Sequence, residues 1–142
     1  MLLIDFVEYY RRSYEELLSL EDISWSPRGT VLVTPPWNFP CAIPLGGVVA
    51  ALMTGNTVLF KPAEETAYVG WKLANLCWEA GIPKDALQFI LCKDETEGSQ
   101  LVKDERVSAV VLTGATERFF FAREIVFNRG FCCVFFTFVF TF

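Results

Sequence analysis

A chain of 142 residues that is 53% apolar and only 20% charged has the material for one buried core. Its formal charge of −5 includes no basic stripe, which excludes a nucleic-acid-binding surface. It has no histidine, so no Ser-His-Asp or Cys-His device can be built from this chain alone. The five cysteines (Cys41, Cys77, Cys92, Cys132, Cys133) form no CxxC pair, so neither a metal site nor a disulfide framework is expected. Free thiols fit a reducing, cytoplasmic setting.

In chain order, Asp5–Leu20 repeats Phe6, Tyr9, Tyr10, Tyr14, Leu17 and Leu18 at three- and four-residue steps, which predicts an amphipathic helix. Its charges permit i,i+4 pairs such as Glu8–Arg12. Asp5 and Glu8 lie inside its apolar start and no basic leader precedes them, so it does not read as a signal peptide. Ser26-Pro27-Arg28-Gly29 is a turn, and Thr30–Thr34 (TVLVT) a short strand. Ala42–Thr54 is almost wholly apolar with Gly46 and Gly47, which predicts a buried helix packed closely on a sheet. Gly55-Asn56 is a turn signal, and Thr57–Phe60 (TVLF) a second strand cut off by Lys61-Pro62. Thr66 is placed to cap a helix running to about Ala80, which Gly81-Ile82-Pro83 stops. Leu87–Leu91 reads as a third strand, Glu97–Lys103 as a short helix, and Val107–Leu112 as a fourth strand running into Thr113-Gly114-Ala115-Thr116. Trp71 and Trp78, seven residues apart on one helical face, read as core. Apolar strands alternating with helices predict an α/β fold: a Rossmann-like parallel sheet with flanking helices.

Ligands of open α/β sheets bind beyond the carboxyl ends of the strands, and three strand ends here are unusual: PPWNFP, KPAEET and TGATE. Asn38, bracketed by Pro36 and Pro40, carries an amide that loses little freedom on ordering. It suits a developing oxyanion, the cap of the following helix or the closing of a turn. Lys61 and Glu64 could hold ribose hydroxyls; taken alone they read more simply as a solvated ion pair. Gly114, at a strand-to-helix turn, offers backbone N–H groups to phosphate. Cys41 follows Pro40 but heads an apolar helix without a base nearby, and packing is its simpler role.

Together these motifs resemble the aldehyde dehydrogenase superfamily: PWNFP at Pro36–Pro40, GNTVLFKPAEET at Gly55–Thr66, EAGIP at Glu79–Pro83 and VVLTGATE at Val110–Glu117. IDFVEYY at Ile4–Tyr10 and TPPWNFPCAIPLGGVVAAL at Thr34–Leu52 bring the likeness nearest to the glutamate-semialdehyde (1-pyrroline-5-carboxylate) dehydrogenase region of bifunctional proline utilization A proteins. The resemblance covers about residues 3–117. It implies NAD as cofactor, a small-molecule aldehyde as substrate, a homo-oligomeric parent enzyme and no metal. It assigns Asn38 to the oxyanion, Trp37 to the pocket near the nicotinamide, and Pro35 and Pro36 to the cofactor floor. Lys61 and Glu64 would hold the adenosine ribose, and Gly114 and Ala115 would face the pyrophosphate, Ala115 through its backbone only. The implied reaction is oxidation of L-glutamate 5-semialdehyde to L-glutamate, a step of proline catabolism.

The family's nucleophilic cysteine and general-base glutamate have no counterpart here, since Cys132 and Cys133 fall too close to TGATE. Residues 118–142 hold ten of the fourteen phenylalanines, and the expected Ala/Gly-containing helix is missing after Glu117. The expectation is therefore a partial NAD-binding domain at 1–117, followed by a Phe-rich tail that is unrelated to the family or frameshifted. Such a fragment would be inactive alone. Phe131–Phe142 is too short to cross a bilayer as a helix, for which about 20 residues are needed, so a membrane tether through it is a less favoured third reading. The alternative is a non-catalytic NAD-binding or protein-interaction module with the aromatic tail as its contact surface.

Overall fold

The computed structural model describes residues 2–114 and 132–136. Its sheet grows from β1 (Thr30–Thr34), whose central residues Val31, Leu32 and Val33 are all buried. A strand apolar on both faces has to lie inside a sheet covered on both sides. β1 does so, in the order β3-β2-β1-β4-β5, where β2 is Thr57–Phe60, β3 Leu87–Phe89, β4 Val107–Thr113 and β5 Cys132–Phe136. Every pairing is parallel. The chain steps outward from β1 to β3 and then returns to the other side of β1 with β4. That reversal opens a crevice at the carboxyl ends of β1 and β4.

Right-handed crossovers place helices by the direction of travel across the sheet. The outward steps put α2 (Ala42–Met53) and α3 (Ala67–Glu79) on one face, and the return puts α4 (Ser99–Lys103) on the other. Under α2 and α3 lies one core of Val31, Val33, Val48, Val58, Phe60, Leu73 and Leu87. Under α4, Leu101 and Val102 pack on Leu32, Val107 and Val110. Full burial of such a side chain stabilises by about 1.5–3 kcal/mol, so the two cores hold the sheet from both sides. α1 (Leu2–Leu18) crosses α2, with the Tyr10 ring 3.6 Å from where a Cβ on Gly46 would lie.

Local chemistry explains the boundaries. Gly47 has no side chain because its Cβ would stand 2.9 Å from Val33 Cγ1 and 3.3 Å from Val111 Cγ1, so α2 sits directly on β1 and β4. The side chain of Asn56 ties the end of α2 to the start of β1. Its carbonyl accepts from the backbone N–H groups of Arg28 (2.7 Å) and Gly29 (3.1 Å), and its amide donates to Thr54 Oγ1 (2.8 Å). α3 ends in a Schellman motif: Gly81, at φ +99°, donates to Trp78 O and Ile82 to Cys77 O.

The α/β expectation holds, element by element, from α1 to β4. Three details differ. Thr66 stands at the start of α3 but gives it no side-chain cap; its hydroxyl donates back to Ala63 O at 3.2 Å, closing a 3₁₀ turn over Glu64–Thr66. Trp71 is not core: it is 43% exposed and stacks on Tyr68, with Lys72 Nζ 5.4 Å from its ring centre. Trp78 does pack against the core and donates to Leu87 O at 3.0 Å. The segment before α4 winds as a π-type turn over Asp94–Gly98 before the helix proper.

β5 is a strand that the sequence reading did not anticipate. It pairs with β4 from Ala109↔Cys132 to Thr113↔Phe136 and becomes the sheet edge. The rest of the Phe-rich tail, and the division of the chain at residue 117, lie outside the described residues. Among the described residues no helix is long and apolar enough to cross a membrane, and no cluster of His, Cys, Asp and Glu could hold a metal.

Candidate cofactor and active site

Parallel register decides what the strand ends share. Val33 pairs with Phe60 and Thr34 with Leu112. The segments after β1, β2 and β4 therefore leave the sheet side by side, about 4.8 Å apart from strand to strand. Lys61 N–H still donates to Val33 O at 3.0 Å, which fixes the β2 exit against β1. Pro35-Trp37-Asn38, Lys61-Glu64 and Thr113-Gly114 thus line one edge.

At the β1 exit, Pro35 is buried and Pro36 half-buried, so the segment is anchored before it reaches solvent. Trp37 is then 62% exposed, and Asn38 is exposed with no hydrogen bond to its side chain among the described residues. Asn38 is not the cap of α2. That position is taken by Cys41, and no side chain caps the helix. The capping role is therefore not realised, and the Asn38 amide stays exposed at the β1 exit.

Lys61 corrects the simpler reading of a solvated Lys–Glu pair. The side chain is only 3% exposed, and its ammonium forms an ion pair with Asp94, not with Glu64. Glu64 begins the 3₁₀ turn and is exposed. Two glycines grip the lysine segment. A Cβ on Gly70 of α3 would meet Pro62 Cγ at 2.8 Å, and a Cβ on Gly98 would meet Lys61 Cε at 3.1 Å. A buried ammonium is costly without a partner, and Asp94 supplies one. The Cys92 thiol shares this corner. Burial pushes it up from its ordinary value, Lys61 opposes that, and the carboxylates of Glu97, Asp94 and Glu64 add to it.

Gly114 follows β4, and among the described residues nothing lies within 4 Å of the position a Cβ would take. Ala115 lies outside the described residues. Asp94 is the Lys61 partner that sequence reasoning missed. Its signal was the topology: β3 adjoins β2, so the loop after β3 has to run beside the residue after β2.

A second concavity, of about 540 Å³, runs along the sheet face between α1, α2 and β4. Phe6, Ile43, Gly47, Ala50 and Val111 line it, with Tyr10 and Arg28 as its titratable side chains. It is a mainly apolar groove, with Ser26, Thr54, Asn56 and Thr113 among its polar lining.

The chain thus combines a parallel sheet whose strand order reverses, an exposed amide after the first strand and a buried lysine after the second. The aldehyde dehydrogenase family model matches residues 3–119, and the chain belongs to that family. Among curated proteins it is 40% identical over 114 residues to the bifunctional protein PutA of Klebsiella aerogenes, covering 80% of this chain and 8% of that protein. It is 37% identical over 139 residues to 1-pyrroline-5-carboxylate dehydrogenase of Staphylococcus aureus, covering 89% of this chain and 27% of that one. Among solved structures, a Bradyrhizobium japonicum proline utilization A variant superposes with a TM-score of 0.85 at 33% identity, over 96% of this chain and 15% of that one. The 1-pyrroline-5-carboxylate dehydrogenase from Thermus with bound NAD gives 0.80 at 33%, over 88% and 26%. The chain therefore spans about a quarter or less of the length of these relatives.

Proposed function

We propose that this chain carries the cofactor-holding part of an NAD-dependent aldehyde dehydrogenase that oxidises L-glutamate 5-semialdehyde to L-glutamate. The observation that carries the proposal is the alignment of three strand exits at one sheet edge, with Asn38, Lys61 and Gly114 one on each. The donor set fits a dinucleotide. A buried, oriented ammonium and a nearby exposed carboxylate suit the two hydroxyls of the adenosine ribose. The glycine backbone of Gly114 suits the pyrophosphate, and Ala115, next in sequence, is proposed to contact it through its backbone. Pro35, Pro36 and Trp37 form the floor toward the nicotinamide. NAD, when bound, would supply the hydride acceptor.

Asn38 has the role of donating to the oxygen that becomes negative when a thiolate adds to the aldehyde carbon. Loss of such a donor typically costs about 10²–10³ in rate. The described cysteines do not suit the thiolate role. Cys77 is buried and its thiol pushed up, Cys92 is pushed up beside three carboxylates, and Cys41 heads α2. The reading is accordingly that the chain binds the dinucleotide but turns over no aldehyde by itself. The test is calorimetric titration with NAD, followed by addition of L-glutamate 5-semialdehyde. Saturable binding without NADH formation supports the proposal; absence of binding, or NADH formation by the isolated chain, contradicts it.

A further inference from the structure

The sheet has two edges of different character. β3 spans only Leu87–Phe89, exposes Gln88, and is bracketed in sequence by Lys84-Asp85 and Lys93-Asp94. Brevity and charge are the usual protection of an edge against pairing with another chain. β5 has neither. It runs over five residues, Cys132–Phe136, and the sequence from Phe131 to Phe142 holds no charge and no proline. Its register against β4 is continuous, so no bulge turns the edge away. Among the described residues no strand lies on its outer side.

The pairing shows what kind of strand this is. Cys132, Val134 and Phe136 stand opposite Ala109, Val111 and Thr113, on the α2 side of the sheet. Cys133 and Phe135 stand opposite Val110 and Leu112, on the α4 side. β5 is therefore apolar at every position on either face, the composition of an interior strand, yet it stands at an edge. Its outward row of backbone N–H and C=O groups is a template for one more strand.

A second copy supplies that strand. Two β5 strands related by a two-fold axis run antiparallel, so each gives the other the same hydrogen bonds and the contact closes at a pair. Pairing β5 with the β3 edge of another copy would be head-to-tail and open-ended, and β3 is the guarded edge. We propose that β5 is a self-association edge, at which two copies of this chain join antiparallel into one continuous sheet. The inference does not depend on the dinucleotide reading.

Sedimentation equilibrium of the whole chain in reductant tests it, over a roughly hundredfold range of concentration, because so small an interface gives weak, reversible association. A monomer–dimer equilibrium without larger species is expected. Val134→Lys and Phe135→Lys, on opposite faces of β5, each bring like charges together across the axis and should weaken the dimer at least about tenfold. Tyr68→Lys, on the exposed side of α3, should leave it unchanged. Should both β5 variants fail to fold, hydrogen exchange in the wild type reads the same contact. Raising the concentration should slow alternate amides of 132–136 by at least about tenfold and leave those of β3 unchanged. A chain that stays monomeric, a dimer that reductant abolishes, or growth into open polymers overturns the inference. So does a folded Val134→Lys or Phe135→Lys protein that dimerises like wild type, or a dimer whose β5 amides exchange as fast as the monomer's.

Discussion

Gly70 of α3 lies so close to Pro62 that a Cβ there would stand 2.8 Å from Cγ and 2.9 Å from Cβ of the proline ring. Pro62 is buried and cannot yield without moving its neighbour, Lys61. Gly70→Ala is therefore expected to destabilise the protein by about 1–3 kcal/mol, the usual cost of overpacking. It should weaken NAD binding as well, although residue 70 touches no ligand. Denaturant melts paired with a binding titration check both effects; a stability loss with unchanged binding would uncouple α3 from the lysine.

The Lys61–Asp94 pair makes a separate stability prediction. Removing one partner of a buried pair strands the other, at about 3–5 kcal/mol when both are dry. Asp94 keeps 30% of its side-chain exposure, so Asp94→Ala is expected to cost less, about 2 kcal/mol. Asp94→Ala combined with Lys61→Met should recover most of that loss, because no charge is then left buried. A double-mutant cycle measures the coupling directly, and additive losses would show that the pair contributes nothing.

Asn38 separates a structural role from a chemical one. Its side chain bonds to nothing among the described residues, and α2 takes no side-chain cap. Asn38→Ala should leave the unfolding free energy within about 0.5 kcal/mol of wild type. A helix cap would instead lose about 1 kcal/mol. The chemical denaturation midpoint reads the difference.

Glu8 on α1 accepts from Arg11 and Arg12 at 2.8 Å, and these contacts lower its carboxyl from 4.5 to about 2. The folded group binds its proton less readily than the unfolded one. Its contribution is thus present above about pH 4.5 and lost as pH falls toward 2. A carboxyl-carbon NMR titration should place the Glu8 midpoint near 2, and a midpoint near 4.5 would mean that the α1 pairs do not persist in solution.

The fold was legible because each element carried its own punctuation. TVLVT and TVLF are apolar at every interior position, so they could only be central strands, and Gly81 ended α3 where its positive φ was needed. The Glu8–Arg12 pair followed from spacing alone and is present at 2.8 Å. What local pattern could not provide was contact across the sheet. Lys61 looked solvated because its nearest carboxylate in sequence is Glu64, whereas its partner is 33 residues away on the loop after β3. Trp71 misled for the opposite reason: a seven-residue repeat fixes a shared face, not which part of it is covered, and α3 leaves Tyr68 and Trp71 in solvent. β5 escaped notice because a phenylalanine-rich run has no period to mark one strand within it.

The central claim is that the strand exits form one dinucleotide site organised by Lys61. Calorimetric titration of the whole chain with NAD, in wild type and Lys61→Met, tests it most directly. The account predicts saturable one-site binding in the wild type that falls at least about tenfold in the variant, as expected for a lost charge-assisted hydrogen bond. A folded wild-type chain that shows no saturable heat, or a folded Lys61→Met protein that binds NAD as tightly as wild type, would contradict it.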